Sequence, residues 1–361
     1  VANVSGQARI GTGGEMLLGG GRLNAGGGLN NQGIVRGAGR INGSVANAAA
    51  GEIRTQSGSA LILGNNLANA GLIHMNGGEM EVLGSATNSG DIDMRSGLVR
   101  FSGGLNNNSG AQLALVGGVN DVFGAVTNAA GAEIVIGNDA SVVFHDALTN
   151  NGDVFLAPGA ELLTLEDLSF TPTSLVSLQL SSLSTEEDFA PLEVSGQATL
   201  AGQLDVQLAG GFAPELGDMF EVVSASGGLA GMFAAENLPS LGSGLEWDVD
   251  YQPTSLTLSV VAGGAIADFD GDGDVDSADL TRWRGGFGTV AGASQGDGDA
   301  DADGDVDGRD FLSWQQQLGS TPGATLAVAA VPEPAAAVLA MAAMVMAGAR
   351  GRQARRKSLR A

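Results

Sequence analysis

Over the first 155 positions, short apolar runs alternate with polar turns, and the alternation recurs in a fixed register. An Asn-bearing turn leads to a Gly and then to an aliphatic residue in "NQGIV", "NAAAGEI", "NAGLI", "NSGDI", "NSGAQL", "NAAGAEI" and "NNGDV". The anchor glycines are Gly33, Gly51, Gly71, Gly90, Gly110, Gly131 and Gly152, with steps of 18, 20, 19, 20, 21 and 21 residues. The aliphatics are Val35, Ile53, Ile73, Ile92, Leu113, Ile134 and Val154, and most units add a second run such as "ALIL", "MEVL", "LVRF" or "SVVF". Each unit therefore predicts two or three strands. One unit cannot bury its own apolar side chains, but copies stacked at the strand spacing bury them in a column, which makes a parallel β-helix the expected fold of residues 1–155. Seven or eight coils would span roughly 35 to 40 Å. Gly and Asn suit the turns because positive φ costs them little, and stacked Asn side chains are expected to form an amide ladder.

The period lapses near Leu156, where the text changes to "LVSLQLSSL", "APLEVSGQATLAGQLDVQL" and "GLEWDVDYQPTSLTLSVV". Residues 156–262 are expected to be a β-rich cap, either the last, broader coils or a compact β-sandwich over the open edge. The repeats resemble the right-handed β-helix passengers of bacterial autotransporters and of filamentous haemagglutinin-like adhesins. The phrases at Gly217 to Val223 and Gly231 to Phe233 resemble the C-terminal end of such passengers. The resemblance implies a mainly β chain built on a right-handed solenoid.

Composition narrows the function classes. The chain has 59 Gly, no Cys and one Tyr, and its only Lys is Lys357. Residues 350–361 hold six of the sixteen basic residues; the rest of the chain sets ten against forty acidic ones, a balance of −30. Such a surface repels nucleic acid and anionic lipid and attracts cations. Without Cys there are no disulfide staples or thiolate metal sites. The sequence starts at Val1, which fits a removed secretion signal and equally an imposed boundary.

The acidic residues concentrate in residues 263–319. "DFDGDGDVDSADL", Asp268 to Leu280, returns 31 residues later as "DADADGDVDGRDF", Asp299 to Phe311. Asp268, Asp270, Asp272, Asp274, Asp276 and Asp279 fall on Asp299, Asp301, Asp303, Asp305, Asp307 and Asp310. Calcium takes six to eight oxygens, and a twelve-residue loop supplies them from positions 1, 3, 5, 7, 9 and 12 with Gly at 6. Position 7 would act through its carbonyl and position 9 through water. Asp at position 12 reaches a bidentate pose less easily than Glu, so affinity below that of a cytosolic sensor is expected. Val275 and Val306 at position 8 are expected to pair the loops through a β-bridge. After each loop, Leu280, Trp283 and Phe287, or Phe311, Trp314 and Leu318, mark one face of a short helix ended by Gly288 or Gly319.

No apolar helical pattern precedes either loop. Two loop-helix units of this kind resemble a dockerin type I module, a calcium-dependent domain that binds cohesins. The resemblance implies two Ca2+ sites and, at loop positions 10 and 11, partner-selecting residues: Ser277, Ala278, Gly308 and Arg309. The two halves differ at these positions, which speaks against symmetric dual-mode binding. A calcium-stabilised spacer without a cohesin partner is the plainer reading.

After a linker at 320–330, residues 331–361 begin with Val331, Pro332, Glu333 and Pro334, continue with fifteen small or apolar residues and end in a basic cluster. Fifteen is short of the roughly 20 residues of a membrane-spanning helix. The design resembles a PEP-CTERM sorting signal. That implies a C-terminal apolar helix, transient insertion in the inner membrane of a Gram-negative cell, cleavage by an exosortase, and release to the cell surface or outside. An ordinary tail anchor is the simpler alternative.

Parallel β-helices also house polysaccharide lyases and hydrolases, and fold alone does not decide between them. The acids of the repeats are Glu52, Glu79, Glu81, Asp91, Asp93, Asp121, Glu133, Asp139, Asp146 and Asp153, in differing slots. No Lys outside the tail can serve as a base for β-elimination, and Arg54, Arg95 and Arg100 suit a surface. His74 and His145 are each flanked by apolar residues. No catalytic constellation emerges. The expectation is a non-enzymatic, exported structural or adhesive protein, calcium-stabilised and sorted by an exosortase. The alternative is a polysaccharide-binding or polysaccharide-degrading β-helix displayed through a dockerin–cohesin contact.

Overall fold

The computed structural model describes residues 1–181, 190–242, 245–263 and 266–319. The chain divides into two compact units, Val1–Gly264 and Ala265–Ala361. The first is a parallel β-solenoid. A representative coil runs through Leu67–Asn69, turns, continues along Leu72–Val82 with a bend at Gly77 and Gly78, and turns again into Ala86–Asn88 of the next coil. Each coil thus presents three faces. The three-residue strands stack in one sheet of eleven, all parallel, from Ala8–Ile10 to Leu229–Gly231. The other two faces merge into a second sheet because strands such as Leu72–Val82 and Asp91–Phe101 pass from one face to the next. Eight of the eleven short strands lie before residue 155, in line with the seven or eight coils read from the repeat.

The aliphatics that follow the anchor glycines form the expected column. Val35, Ile53, Ile73, Ile92, Leu113, Ile134 and Val154 are partners in register from coil to coil, and none is more than 1% exposed. The column continues unbroken through Val176 and Leu204. The lapse of period at Leu156 is therefore a lengthening and not an end of the solenoid. Leu168 pairs with Ala198, 30 residues on, and Ala198 with Leu229, 31 residues on, so the inserted length lies outside the ladder and hides the repeat from the sequence. Of the two expectations for residues 156–262, the parallel pairing shows further coils followed by an antiparallel hairpin.

That hairpin, Leu245–Tyr251 with Ser255–Ala262, pairs antiparallel with Met219–Ala225 and covers its free edge. Leu256, Leu258 and Val260 fill the end of the core. Phe220 packs on Trp247 at 5.8 Å, the Trp247 indole N–H donates to the carbonyl of Pro239, and the Tyr251 hydroxyl donates to Glu236 at 2.5 Å.

A second column is polar. Asn31, Asn47, Asn69, Asn88, Asn107, Asn128 and Asn150 are at most 2% exposed. Each Nδ2 donates to the Oδ1 of the next at 2.7 or 2.8 Å, six bonds in a row. The ladder ends where Asn150 meets Phe170 in register. It runs through Asn107, one residue before the Asn of "NSGAQL", because that turn is one residue longer than its neighbours in the earlier coils.

The anchor glycines serve a purpose other than the expected one. At Gly33, Gly51, Gly71, Gly90 and Gly152 a Cβ would lie 2.1 to 2.4 Å from a carbonyl oxygen of the preceding coil, so there is no room for a side chain. Only Gly110 and Gly131, in the longer turns, have positive φ, at 78° and 74°. In those two turns the following Ala111 and Ala132 take the buried place.

No helix among the described residues is long and apolar enough to cross a membrane. Val331, Pro332, Glu333 and Pro334, and the apolar helix expected after them, lie outside the described residues.

Candidate metal centre

The second unit is built from two copies of one loop-helix element. Helix α1 spans Ser277–Gly286 and helix α2 spans Gly308–Gln317, each preceded by its acidic loop. Gly288 and Gly319 follow the helices with φ of 92° and 88°, where a C-terminal turn requires glycine. Leu280, Trp283, Phe311 and Trp314 turn inward onto Ala267, Phe269, Val275, Ala300 and Val306. Phe287 and Leu318, expected on the same faces, are 59% and 55% exposed because they stand past the last helical residue.

Inside each loop the carboxylates fold over the backbone. Asp268 accepts from the amides of Gly271 and Gly273, Asp270 from Asp272, and Asp272 from Asp274. The second loop repeats much of this: Asp299 accepts from Gly304, Asp301 from Asp303, and Asp303 from Asp305. Position 12 is the hub of each loop. Asp279 Oδ1 accepts from the amides of Phe269 and Asp270, and its Oδ2 from Asp276. Asp310 makes the same bonds to Ala300, Asp301 and Asp307. Asp276 and Asp307 are the N-caps of α1 and α2, and with Asp279 and Asp310 they complete two capping boxes. Helix capping thus explains two of the six Asp in each loop without any ion.

The remaining carboxylates are harder to explain without one. Oxygens of Asp268, Asp270 and Asp279 lie within 4.8 Å of one another, as do those of Asp274, Asp276 and Asp279. In the second loop the same holds for Asp299, Asp301 and Asp303, and for Asp305, Asp307 and Asp310. Asp299 is only 4% exposed, and its Oδ1 has no hydrogen-bond donor; Oδ1 of Asp274 and of Asp305 are buried without a donor as well. A buried carboxylate oxygen lacking a donor is costly, and a hard cation supplies what is missing. Burial pushes the Asp270, Asp301 and Asp305 carboxyls up, and the neighbouring charges of Asp272 and Asp303 add to it. The Asp274 carboxyl is raised first by the charge of Asp272 and then by burial. All-oxygen donors on a flexible loop fit calcium. Asp279 and Asp310 spend three of about four lone-pair directions on amides, so they tie the loop together more than they encircle an ion.

The two halves lock together by crossed contacts. The Trp283 indole donates to the carbonyl of Asp307 at 2.9 Å, and the Trp314 indole donates to the carbonyl of Asp276 at 2.7 Å. The amide of Gly288 donates to Val306, and that of Gly319 to Val275. Every pair maps onto its mate by the 31-residue shift. The expected bridge between Val275 and Val306 is replaced by these contacts, in which each Val meets the segment after the opposite helix. Both Trp were visible as matched positions in the duplication, but a spacing argument reads them as core and misses the donor role.

The candidate partner positions Ser277, Ala278, Gly308 and Arg309 are all exposed at the first turns of the helices, and Arg309 lies 3.8 Å from Asp303.

On the solenoid, the two histidines are each paired with an acid of a neighbouring coil. His74 Nδ1 lies 3.1 Å from Asp93, which also faces Arg95 at 3.7 Å, and His145 Nε2 lies 2.8 Å from Asp121. The His145 ring stacks on Phe123 at 3.7 Å, and the Arg100 guanidinium sits 4.0 Å from the same ring. Glu52 pairs with Arg54, Glu133 accepts from Gln112 at 2.8 Å, and Asp146 accepts from the amide of Gly124. The sequence alone does not show these pairs, since their members are about twenty residues apart and meet only through the coil register. In searches against protein-family models and against curated proteins, the chain matches neither a family nor a protein.

Proposed function

We propose that the chain is an exported structural or adhesive protein of the cell surface or extracellular matrix, in which a right-handed solenoid is joined to a dockerin-like module holding two calcium ions. The ligands are Asp268, Asp270, Asp272, Asp274, Asp276 and Asp279 in one loop and Asp299, Asp301, Asp303, Asp305, Asp307 and Asp310 in the other. The observation that carries this reading is the buried Asp299 carboxylate with a donorless Oδ1, in a loop present twice. The Asp at position 12, already bonded to three amides, favours the weaker affinities of extracellular calcium modules, about 10⁻⁴ to 10⁻³ M. That range fits a protein working outside the cell. The tail is then a PEP-CTERM signal that an exosortase removes near Val331, Pro332, Glu333 and Pro334 after transient insertion in the inner membrane.

Calorimetry on the full chain is expected to show two calcium ions bound per molecule and none in the presence of excess chelator. A flat titration at millimolar calcium would overturn the metal assignment. Retention on matrix glycans without turnover supports the adhesive role, whereas depolymerisation of a soluble glycan replaces it with a polysaccharide-cleaving one. Mass spectrometry of protein recovered from the producing cell is expected to end near residue 334, and an intact tail contradicts processing.

A further inference from the structure

The crossed contacts of the second unit have a chemical consequence beyond packing. Resting on the calcium reading above, we infer that the two loops bind cations cooperatively, and that Trp283 and Trp314 are the positioning residues that couple them. The path is short. Trp314, on the helix whose first turn carries Asp310, donates to the carbonyl of Asp276, and the amide of that same residue donates to Asp279 Oδ2. Asp279 Oδ1 in turn holds the amides of Phe269 and Asp270. Helix α2 is therefore one residue away from the carboxylate that organises the first loop. Trp283 makes the mirror connection through Asp307 to Asp310, which holds Ala300 and Asp301.

An ion that draws Asp268 and Asp270 toward Asp279 fixes the start of α1, and Trp283 rides on that helix. Its indole then holds Asp307 where Asp310 needs it, so the second loop is ordered before its own ion arrives. The ordering cost is met once for both sites, which produces positive cooperativity without any contact between the ions. The backbone pairs Gly288 with Val306 and Gly319 with Val275 brace the same two crossings. The ring of Trp283 lies 4.9 Å from both Phe287 and Phe311, so replacing it by Phe removes the N–H while leaving an aromatic in place.

The test uses the full chain, calcium alone as ligand, and amide hydrogen exchange of peptides covering 268–279 and 299–310, with calorimetry beside it. In the unmodified protein both peptides are expected to gain protection at the same calcium concentration, in one steep step. Asp270→Asn is expected to raise the calcium midpoint of the second loop by about fivefold or more, and Asp301→Asn to raise that of the first by the same factor, because coupling is reciprocal. Trp283→Phe and Trp314→Phe, with circular dichroism confirming the fold, are expected to leave two ions bound in two independent steps. Unchanged midpoints in the distant loop, or single-step binding in both Trp variants, overturn the coupling and leave the calcium sites standing. No calcium-dependent protection in either loop of the unmodified protein overturns both.

Discussion

Asn88 stands in the middle of the polar ladder, and its replacement by Ala tests whether the ladder carries stability or only fills space. The side chain is fully buried. It accepts from Asn69 at 2.7 Å and from the Gly90 amide at 3.3 Å, and it donates to Asn107 at 2.8 Å and to the Gln112 carbonyl at 3.1 Å. Truncation cuts two ladder bonds and strands a buried partner on each side, at about 1 to 3 kcal/mol apiece, or about 2 to 6 kcal/mol together. Asn150 provides the control. It accepts from Asn128 at 2.7 Å, but its neighbour on the other side is Phe170, so Asn150→Ala cuts only one ladder bond. Its expected loss is about 1 to 3 kcal/mol. Urea denaturation followed by circular dichroism measures both, with free energies compared only where the slopes agree. Because repeats can open locally, amide exchange across residues 86–95 and 148–157 locates the loss. Equal losses in the two variants, or none for Asn88→Ala, would refute the additive ladder.

The anchor glycines give a second contrast. Gly71→Ala pushes a Cβ to 2.2 Å from the Gly51 carbonyl and is expected to unfold the solenoid locally, while Gly110→Ala meets open space and costs only about 1 to 2 kcal/mol for its positive φ. The same urea assay ranks them, and the reverse order contradicts the close-approach argument. In the second loop Ala302 has φ of 59° where its mate Gly271 has 71°, so Ala302→Gly is expected to relieve about 1 kcal/mol and lower the calcium midpoint of residues 299–310 only. An equal shift in both loops means that the strain is not local or that coupling dominates. Asp153 is raised by burial first and by the charge of Glu133, its register partner, second. Its protonated form is thus favoured in the fold, and the stability it contributes is lost as pH rises through its folded value. Asp153→Asn is expected to raise the urea midpoint near about pH 7, with the gain gone at about pH 3, where both forms are neutral. A gain that persists in acid points to another cause.

Much of the solenoid was legible because its period is written in residues that must face inward. Ile53, Ile73 and Ile92 occupy one slot, and any reader of the spacing finds it. What the spacing hid was the reason for the glycines, since a turn that needs positive φ and a turn that needs bare backbone look alike in sequence. Gly71 and Gly110 differ only in what lies above them. The coils beyond Leu156 were hidden for another reason: insertions of about ten residues between ladder strands break the count but not the stacking, so Val176 still lies in register with Val154. In the second unit, the 31-residue shift identified every acidic position. It did not identify Asp276 and Asp307 as helix caps, because a loop ligand and an N-cap ask for the same short carboxylate.

Both units are duplications, and the symmetry of each decides how a change spreads. The twenty-residue repeat stacks by translation, so a residue meets its own copies: Asn on Asn and Ile on Ile. A substitution there disturbs two neighbours of the same kind, and its effect fades with each coil. The 31-residue repeat closes as a pair, so a residue meets a different position of its copy: Trp283 meets Asp307, and Trp314 meets Asp276. No third copy exists among the described residues to dilute the effect. A perturbation of one half therefore arrives whole at the ligands of the other. Translation suits an inert column that has to tolerate variation along its length, and a closed pair suits a module that has to respond as one to calcium.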